Sequence, residues 1–147
     1  MTIRAGVAGW PIAHSLSPVI HGAWIRAAGL DADYTAFGPE TEAQFCDLVG
    51  QVRQSALRGL NVTAPYKETA LGLADTVSET ARACGSANLL WQDAGVLRAD
   101  STDGYGLMAA LTEQAGRIVV ELQQIDVFSD IENYKLARNW LRDRGYR

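Results

Sequence analysis

Residues 4–37 read RAGVAGWPIAHSLSPVIHGAWIRAAGLDADYTAF, and this stretch decides the fold class. Its first residues are mostly small and apolar, which predicts a short buried strand. Ser17 and Pro18 then begin a helix that ends at Gly29, because serine favours the N-cap, proline the first helical position and glycine the left-handed turn at a helix end. Residues 32–37 predict a second strand. A strand, a helix and a strand in succession indicate an α/β fold.

The same alternation continues along the chain. Thr41 and Gln44 are spaced as a capping box, which predicts a helix over residues 41–56 with an apolar stripe. The pattern then predicts a strand at 57–62, short helices at 65–73 and 78–83, a hairpin of strands at 87–92 and 96–99, and a helix at 104–114. Because the connections are short, we expect a layered α/β/α domain with a mostly parallel sheet.

Composition restricts the classes of protein. The 147 residues are 48% hydrophobic and 20% charged, which fits one domain that buries a core without disulfides. Cys46 and Cys84 are therefore expected to be small buried residues in a reducing, cytoplasmic setting. The apolar runs are far shorter than the roughly 20 residues of a membrane span, and 13 basic residues are outnumbered by 17 acidic ones. Membrane and nucleic-acid partners are therefore not expected.

Four polar stretches fall at predicted strand ends or helix starts. In an open α/β sheet, the loops beyond the strand ends converge on one crevice. Together the stretches offer hydroxyls, amides, one cation and one carboxylate, which suit a polyhydroxylated, anionic small molecule. They are His14-Ser15-Leu16-Ser17-Pro18, the run NVTAPYKE at 61–68, the run GSAN at 85–88 and the run STDG at 101–104.

Most of these side chains also have a structural explanation. Ser17 and Asp103 stand where helix N-caps are expected. Asn61, Thr63 and Asn88 could each be a turn residue that bonds nearby backbone. Sequence alone leaves both interpretations open for these residues.

Lys67 and Ser15 are harder to explain in this way. Lys67 lies in the first turn of a predicted helix, at the positive end of the helix dipole, where a carboxylate would be preferred. A residue that departs from such a local preference is a candidate functional residue. The alternative is a solvated surface lysine whose charge is compensated by Glu68 beside it. We expect Lys67 and Asp103 to lie close together, because both begin helices that follow strands.

A dinucleotide site and a metal site are the other chemistries to weigh. Residues 104–109, GYGLMA, match the pattern G-x-G-x-x-A, and Asp126 lies twenty residues beyond its second glycine. The preceding residues are polar, however, and Asp103 would lie beside the pyrophosphate. His14 and His21 are seven residues apart, too far for a helical metal pair, so no metal site is predicted.

The polar stretches, in this order and spacing, resemble the N-terminal substrate-binding domain of shikimate dehydrogenases over about residues 3–116. The likeness is carried by GWPIAHSLSP at 9–18, GLNVTAPYK at 59–67 and STDG at 101–104. The resemblance implies a catalytic pair, Lys67 and Asp103, that assists proton movement at the reacting hydroxyl. It implies that shikimate or 3-dehydroshikimate is surrounded by Ser15, Ser17, Asn61, Thr63, Lys67, Asn88 and Asp103. The implied family reaction is the NADPH-dependent reduction of 3-dehydroshikimate to shikimate, in aromatic amino acid biosynthesis.

Three departures from the family pattern leave the activity and the substrate open. The family usually has asparagine where this chain has Ser101, and residues 85–89 read GSANL instead of GAVNT, so the preference for shikimate or quinate is undecided. From Arg117 onward the chain does not resemble the NADP-binding domain of the family. No cofactor is therefore expected to bind this chain, and the isolated chain is expected at most to bind substrate.

Residues 117–147 are predicted to be one strand and one helix that follow the substrate domain at residues 1–116. They show a faint similarity to a piece of EAL-type phosphodiesterase barrels, from which no activity is inferred. The apolar strand needs a partner, and we expect a homodimer through it rather than a monomer. The alternative to a substrate-binding domain is a truncated or chimeric, non-catalytic scaffold with a role in folding or assembly.

Overall fold

The computed structural model of the chain describes residues 2–113, and the predicted tail at 117–147, with its dimer contact, lies outside them. Residues 1–104 form one compact unit that contains every strand described below. The elements are β1 (Ile3–Ala8), α1 (Ser17–Ala28), β2 (Ala32–Phe37), α2 (Glu42–Arg53), β3 (Gly59–Val62), α3 (Lys67–Leu73), β4 (Thr76–Val77), α4 (Glu79–Cys84), β5 (Leu89–Asp93), β6 (Val96–Asp100) and α5 (Asp103–Glu113).

The six strands form one sheet in the order β2-β1-β3-β5-β6-β4. Strand β1 pairs in parallel with β2 and β3, and β4 pairs in parallel with β6. Strand β5 runs antiparallel between β3 and β6. The predicted β5–β6 hairpin turns at Ala94 and Gly95, whose φ angles of 49° and 85° suit a two-residue turn between twisted strands. The mostly parallel sheet is confirmed.

The main core lies on one face of the sheet, under α2. This helix packs against β3, β5 and β6, and its predicted apolar stripe is confirmed. The helices α3 and α4 add Ala70 and Ala81 to the same cluster. The largest fully buried side chains of the described residues are Phe45, Leu57, Leu60, Leu90, Leu97 and Val52.

Helix α1 lies on the opposite face, against β1 and β2. The ring of His21 stacks on Tyr34 of β2, with 3.9 Å between centroids and 7° between planes. Tyr34 bonds to Asn61, and because β3 alternates between faces, Asn61 points away from the buried Leu60. Helices thus cover both faces, which confirms the α/β/α layers. Trp24 keeps its helical spacing but is exposed.

The start of α1 differs from the prediction. Leu16, not Ser17, is the N-cap residue, and its φ of −85° and ψ of −7° are already helical. Ser17 is the first residue of the helix, and its backbone N–H donates to Oγ of Ser15 at 3.3 Å. The side chain of Ser15 therefore accepts a hydrogen bond from an amide that the start of the helix leaves unpaired. The sequence pattern had assigned this capping role to Ser17.

Helix α2 is fastened at both ends. Thr41 Oγ1 accepts from the N–H of Gln44 at 3.3 Å, as predicted, while Gln44 Oε1 accepts from Glu40, one residue before the expected partner. At the far end, Arg53 donates to both carboxylate oxygens of Asp75 at 2.7 and 2.9 Å. These hydrogen bonds hold the pKa of Asp75 below its usual value.

Three expectations from the sequence can be compared with the described residues. Cys46 and Cys84 form no disulfide, but both are half-buried instead of buried. In residues 2–113, no helix is long and apolar enough to cross a membrane. The same part of the chain holds no cluster of three or more His, Cys, Asp or Glu side chains suited to a metal ion.

Leu90→Ala should lower the free energy of unfolding by about 2–5 kcal/mol, because Leu90 is 0% exposed in the core. Leu30→Ala is the matched control: Leu30 is 54% exposed, so its truncation should cost far less. Urea denaturation followed by circular dichroism measures both losses. Equal losses would contradict the placement of β5 in the core.

Candidate functional site

The polar stretches meet at one edge of the sheet because of the strand directions. Strands β1, β3 and β6 run the same way, and their carboxyl ends lead toward α1, α3 and α5. Strand β5 runs the other way, so Asn88, which precedes it, lies at this edge too. Backbone hydrogen bonds join the loops, from Trp10 N–H to Ala64 at 3.0 Å and from Asn88 N–H to Asp100 at 3.1 Å.

Lys67 and Asp103 form an ion pair at this edge. Lys67 Nζ lies 3.0 Å from Asp103 Oδ2, which confirms the predicted closeness. Helix α3 begins at Lys67 instead of Pro65, and α5 begins at Asp103, which is therefore a helical residue and not an N-cap. Each side chain is 25% exposed, so the pair is shielded from water yet open to a ligand.

Asn88 holds Asp103 in place. Its Nδ2 donates to Asp103 Oδ1 at 2.8 Å and to Thr102 Oγ1 at 2.9 Å, and its Oδ1 accepts from the Thr102 N–H at 3.1 Å. These partners lie 14 and 15 residues away in the sequence. The interpretation of Asn88 as a local turn residue is therefore wrong.

Asn61 is not a turn residue either, because it lies inside β3. Its Oδ1 accepts a hydrogen bond of 2.7 Å from the Tyr34 hydroxyl. Burial raises the pKa of Tyr34 to about 12. The sequence motifs do not single out Tyr34, although it is the large polar side chain on the alternating strand ADYTAF that points toward α1.

Thr63 begins a turn, but its hydrogen bonds there are made by its backbone and not by the side chain that the structural explanation invoked. Its N–H donates to Ala8 at 2.9 Å, and its carbonyl accepts from the N–H of Tyr66 at 3.1 Å. A Cβ at Gly9 would collide with the methyl group of Thr63 and lie 2.9 Å from the Ala64 oxygen. Glycine at position 9 thus lets the two loops approach each other.

Ser101 begins the closing STDG stretch and is 2% exposed. Its hydroxyl has no hydrogen-bond partner among the residues that the structure describes.

The GYGLMA pattern at the start of α5 does not fit a dinucleotide. In the GYGLMA pattern, a pyrophosphate would bind at the amide groups that begin α5. The carboxylate of Asp103 is the first side chain of that helix and would repel the phosphates. The edge instead offers a shielded cation and carboxylate beside hydroxyls and amides, a set able to bind a polyol and to exchange a proton with it.

Comparison with known proteins agrees with this chemistry. The family model "Shikimate dehydrogenase substrate binding domain" matches residues 7–90. Shikimate dehydrogenase (NADP(+)) of Caulobacter vibrioides is 54% identical over 114 residues, which cover 77% of this chain and 40% of that protein. The chain thus spans well under half the length of this relative.

Two further relatives extend the comparison. The shikimate dehydrogenase (NADP(+)) of Mesorhizobium japonicum is 36% identical over 163 aligned positions, which cover 97% of this chain and 58% of that protein. That alignment reaches into residues 117–147, so the likeness does not end at Gly116 in every relative. The crystal structure of shikimate 5-dehydrogenase from Listeria monocytogenes in complex with shikimate and NAD superposes with a TM-score of 0.71 at 38% identity, covering 80% of this chain and 40% of that one. The chain therefore belongs to the shikimate dehydrogenase family, by way of its substrate-binding domain.

Proposed function

We propose that residues 1–116 bind shikimate and 3-dehydroshikimate and supply the proton-transfer groups of an NADP-dependent shikimate dehydrogenase. The observation that carries the proposal is the ion pair between Lys67 and Asp103, 3.0 Å long and a quarter exposed. It lies at the sheet edge where the hydroxyl and amide side chains converge. Family membership supports the proposal, as does the Listeria relative, whose structure contains shikimate.

The carboxylate of the ligand belongs at the start of α1. Ser15 Oγ accepts from the N–H of Ser17, so the proton of the Ser15 hydroxyl is left to donate to a ligand. The 12-residue helix adds the positive end of its dipole at Ser17. Two serine hydroxyls and a helix start together suit a carboxylate better than a neutral ring hydroxyl.

The reacting oxygen belongs beside Lys67. In the direction of reduction, the forming hydroxyl takes its proton from Lys67 Nζ, and in the direction of oxidation it returns the proton to that nitrogen. The carboxylate of Asp103 compensates the lysine charge, and it accepts from Asn88 at one oxygen and from Lys67 at the other. Asn61 and Thr63 are the polar groups at the end of β3 that meet the remaining ring hydroxyls.

The chain alone should bind its ligand without turnover. The reaction also needs a nicotinamide held against the substrate. The GYGLMA pattern at the start of α5 does not fit a dinucleotide, so other groups have to hold the nicotinamide. A scaffold without catalysis is the competing function, but no contact among the described residues favours it.

Titration of the 147-residue chain with shikimate should saturate when followed by the fluorescence of Trp10 and Trp91. Lys67→Met should weaken binding by about tenfold or more, because it removes a charged hydrogen-bond donor and leaves Asp103 unpaired. The matched control is Arg98→Met, since Arg98 pairs with Asp93 at 3.0 Å in the hairpin. This control should bind as the unmodified chain does. Failure of the unmodified chain to saturate would refute the proposal and favour the scaffold.

Asn88→Asp should destabilise the fold by about 1–3 kcal/mol near neutral pH, because a carboxylate replaces the donor that faces Asp103 at 2.8 Å. When one of the two facing carboxylates takes up a proton, the repulsion is removed and the folded variant is stabilised relative to the unfolded chain, in which the two groups are apart. The loss should therefore shrink as the pH falls into the range where carboxyl groups protonate. Thermal unfolding across pH measures this, with Gln92→Glu on β5, the strand that follows Asn88, as control. A loss independent of pH would contradict the repulsion.

The purified chain should not reduce NADP⁺ in the presence of shikimate, as followed by absorbance near 340 nm. The reason is that Asp103 opposes phosphate binding at the start of α5. Full-length shikimate dehydrogenase of Caulobacter vibrioides is the positive control. Turnover by this chain alone would overturn the argument and revive the GYGLMA pattern as a nucleotide site.

A further inference from the structure

We propose that Tyr34 is a positioning residue, whose hydroxyl turns the side-chain amide of Asn61 so that its NH₂ group faces the substrate. His21 holds the Tyr34 ring in the required place. The inference rests on the proposed function, because Asn61 is one of the proposed substrate-binding residues. Neither Tyr34 nor His21 belongs to the set of polar residues that the sequence motifs singled out for substrate.

The hydrogen bond crosses a whole strand. Strand β1 lies between β2 and β3, and its Ala5 pairs in register with Tyr34 while its Val7 pairs with Asn61. The hydroxyl of Tyr34 reaches over β1 to Asn61 Oδ1 at 2.7 Å. A small alanine beside Tyr34 leaves space for the ring to lean in this direction.

The direction of this bond decides what Asn61 presents to a ligand. A tyrosine hydroxyl with a pKa near 12 keeps its proton throughout the neutral range and donates it to Oδ1. The acceptor of Asn61 is then occupied, and its Nδ2 donates to no other group in the described part of the chain. Two N–H donors are therefore left for an oxygen of the ligand, such as a ring hydroxyl.

His21 links this arrangement to the start of α1. Its ring lies parallel to that of Tyr34, and its Nδ1 donates to the carbonyl of Ser17 at 2.9 Å. Trp24 packs its ring edge against His21 at 5.1 Å between centroids. Two proposed substrate-binding residues, Ser17 on α1 and Asn61 on β3, are thus held at a set spacing through two stacked rings.

Shikimate titration of variants of the full chain tests the role in binding. Tyr34→Phe should weaken affinity about five- to tenfold, the effect of one lost hydrogen bond. In an Asn61→Ala background, the same change should alter affinity by less than about twofold, since the group that it positions is gone. Tyr66→Phe is the matched control, because it removes another buried hydroxyl, bonded to Pro39 at 2.7 Å, and should leave affinity unchanged. Losses that multiply in the double variant would overturn the proposal.

A measurement without ligand tests the positioning itself. The ¹⁵N-{¹H} NOE of the Asn61 side-chain NH₂ should show a rigid group in the unmodified chain and in Tyr66→Phe, and a mobile group in Tyr34→Phe. Equal mobility of that group in all three would overturn the proposal. If the unmodified chain does not bind shikimate, the proposed function fails, and this measurement still decides whether Tyr34 fixes Asn61.

Discussion

The reversal of the chain at β5 is the constraint on which the site depends. Because β5 is antiparallel to both neighbours, β6 runs in the same direction as β1 and β3, and Asp103 emerges at the same edge as Lys67. Had β6 run the other way, Asp103 would lie a strand length away, roughly 16 Å for five residues. The same reversal places Asn88 at this edge, where it bonds to Asp103. One antiparallel strand therefore assembles the ion pair and the amide that supports it.

The charges at this edge compensate one another. Lys67 at the start of α3 opposes the helix dipole, which is unfavourable by about 0.3–1 kcal/mol, whereas Asp103 at the start of α5 is placed favourably. Pairing the two side chains at 3.0 Å offsets the unfavourable position of the lysine. The pair is a quarter exposed, and water screens part of its attraction, so its value lies more in chemistry than in stability.

Local signals in the sequence predicted most of the fold, and failed where distant residues meet. The capping residue Thr41 and the hairpin turn at Ala94 and Gly95 depend on nearby backbone, and both were predicted correctly. The sequence leaves open whether Asn61 is a turn residue, because its partner, Tyr34, is 27 residues away and lies across an intervening strand. No periodicity within a short window reports such a contact. Lys67 was recognised because it breaks a rule within its own helix, which a single sequence does reveal.

The sheet order also has a consequence for how the chain folds. Strand β4 pairs with β6, which is synthesised later, and Thr76 of β4 lies beside Arg98 of β6. Lys67 likewise contacts Asp103, which is 36 residues further along the chain. Contacts between residues so far apart in the sequence stabilise the fold only after a long loop has closed. Because loop closure costs conformational entropy, such contacts slow folding. As the chain leaves the ribosome, β1 can pair with β2 and β3 first, while the other edge of β3 still lacks β5 and β4 still lacks β6. The ion pair is therefore completed among the last steps, when Asp103 docks, and a nascent chain that ends before residue 103 lacks it.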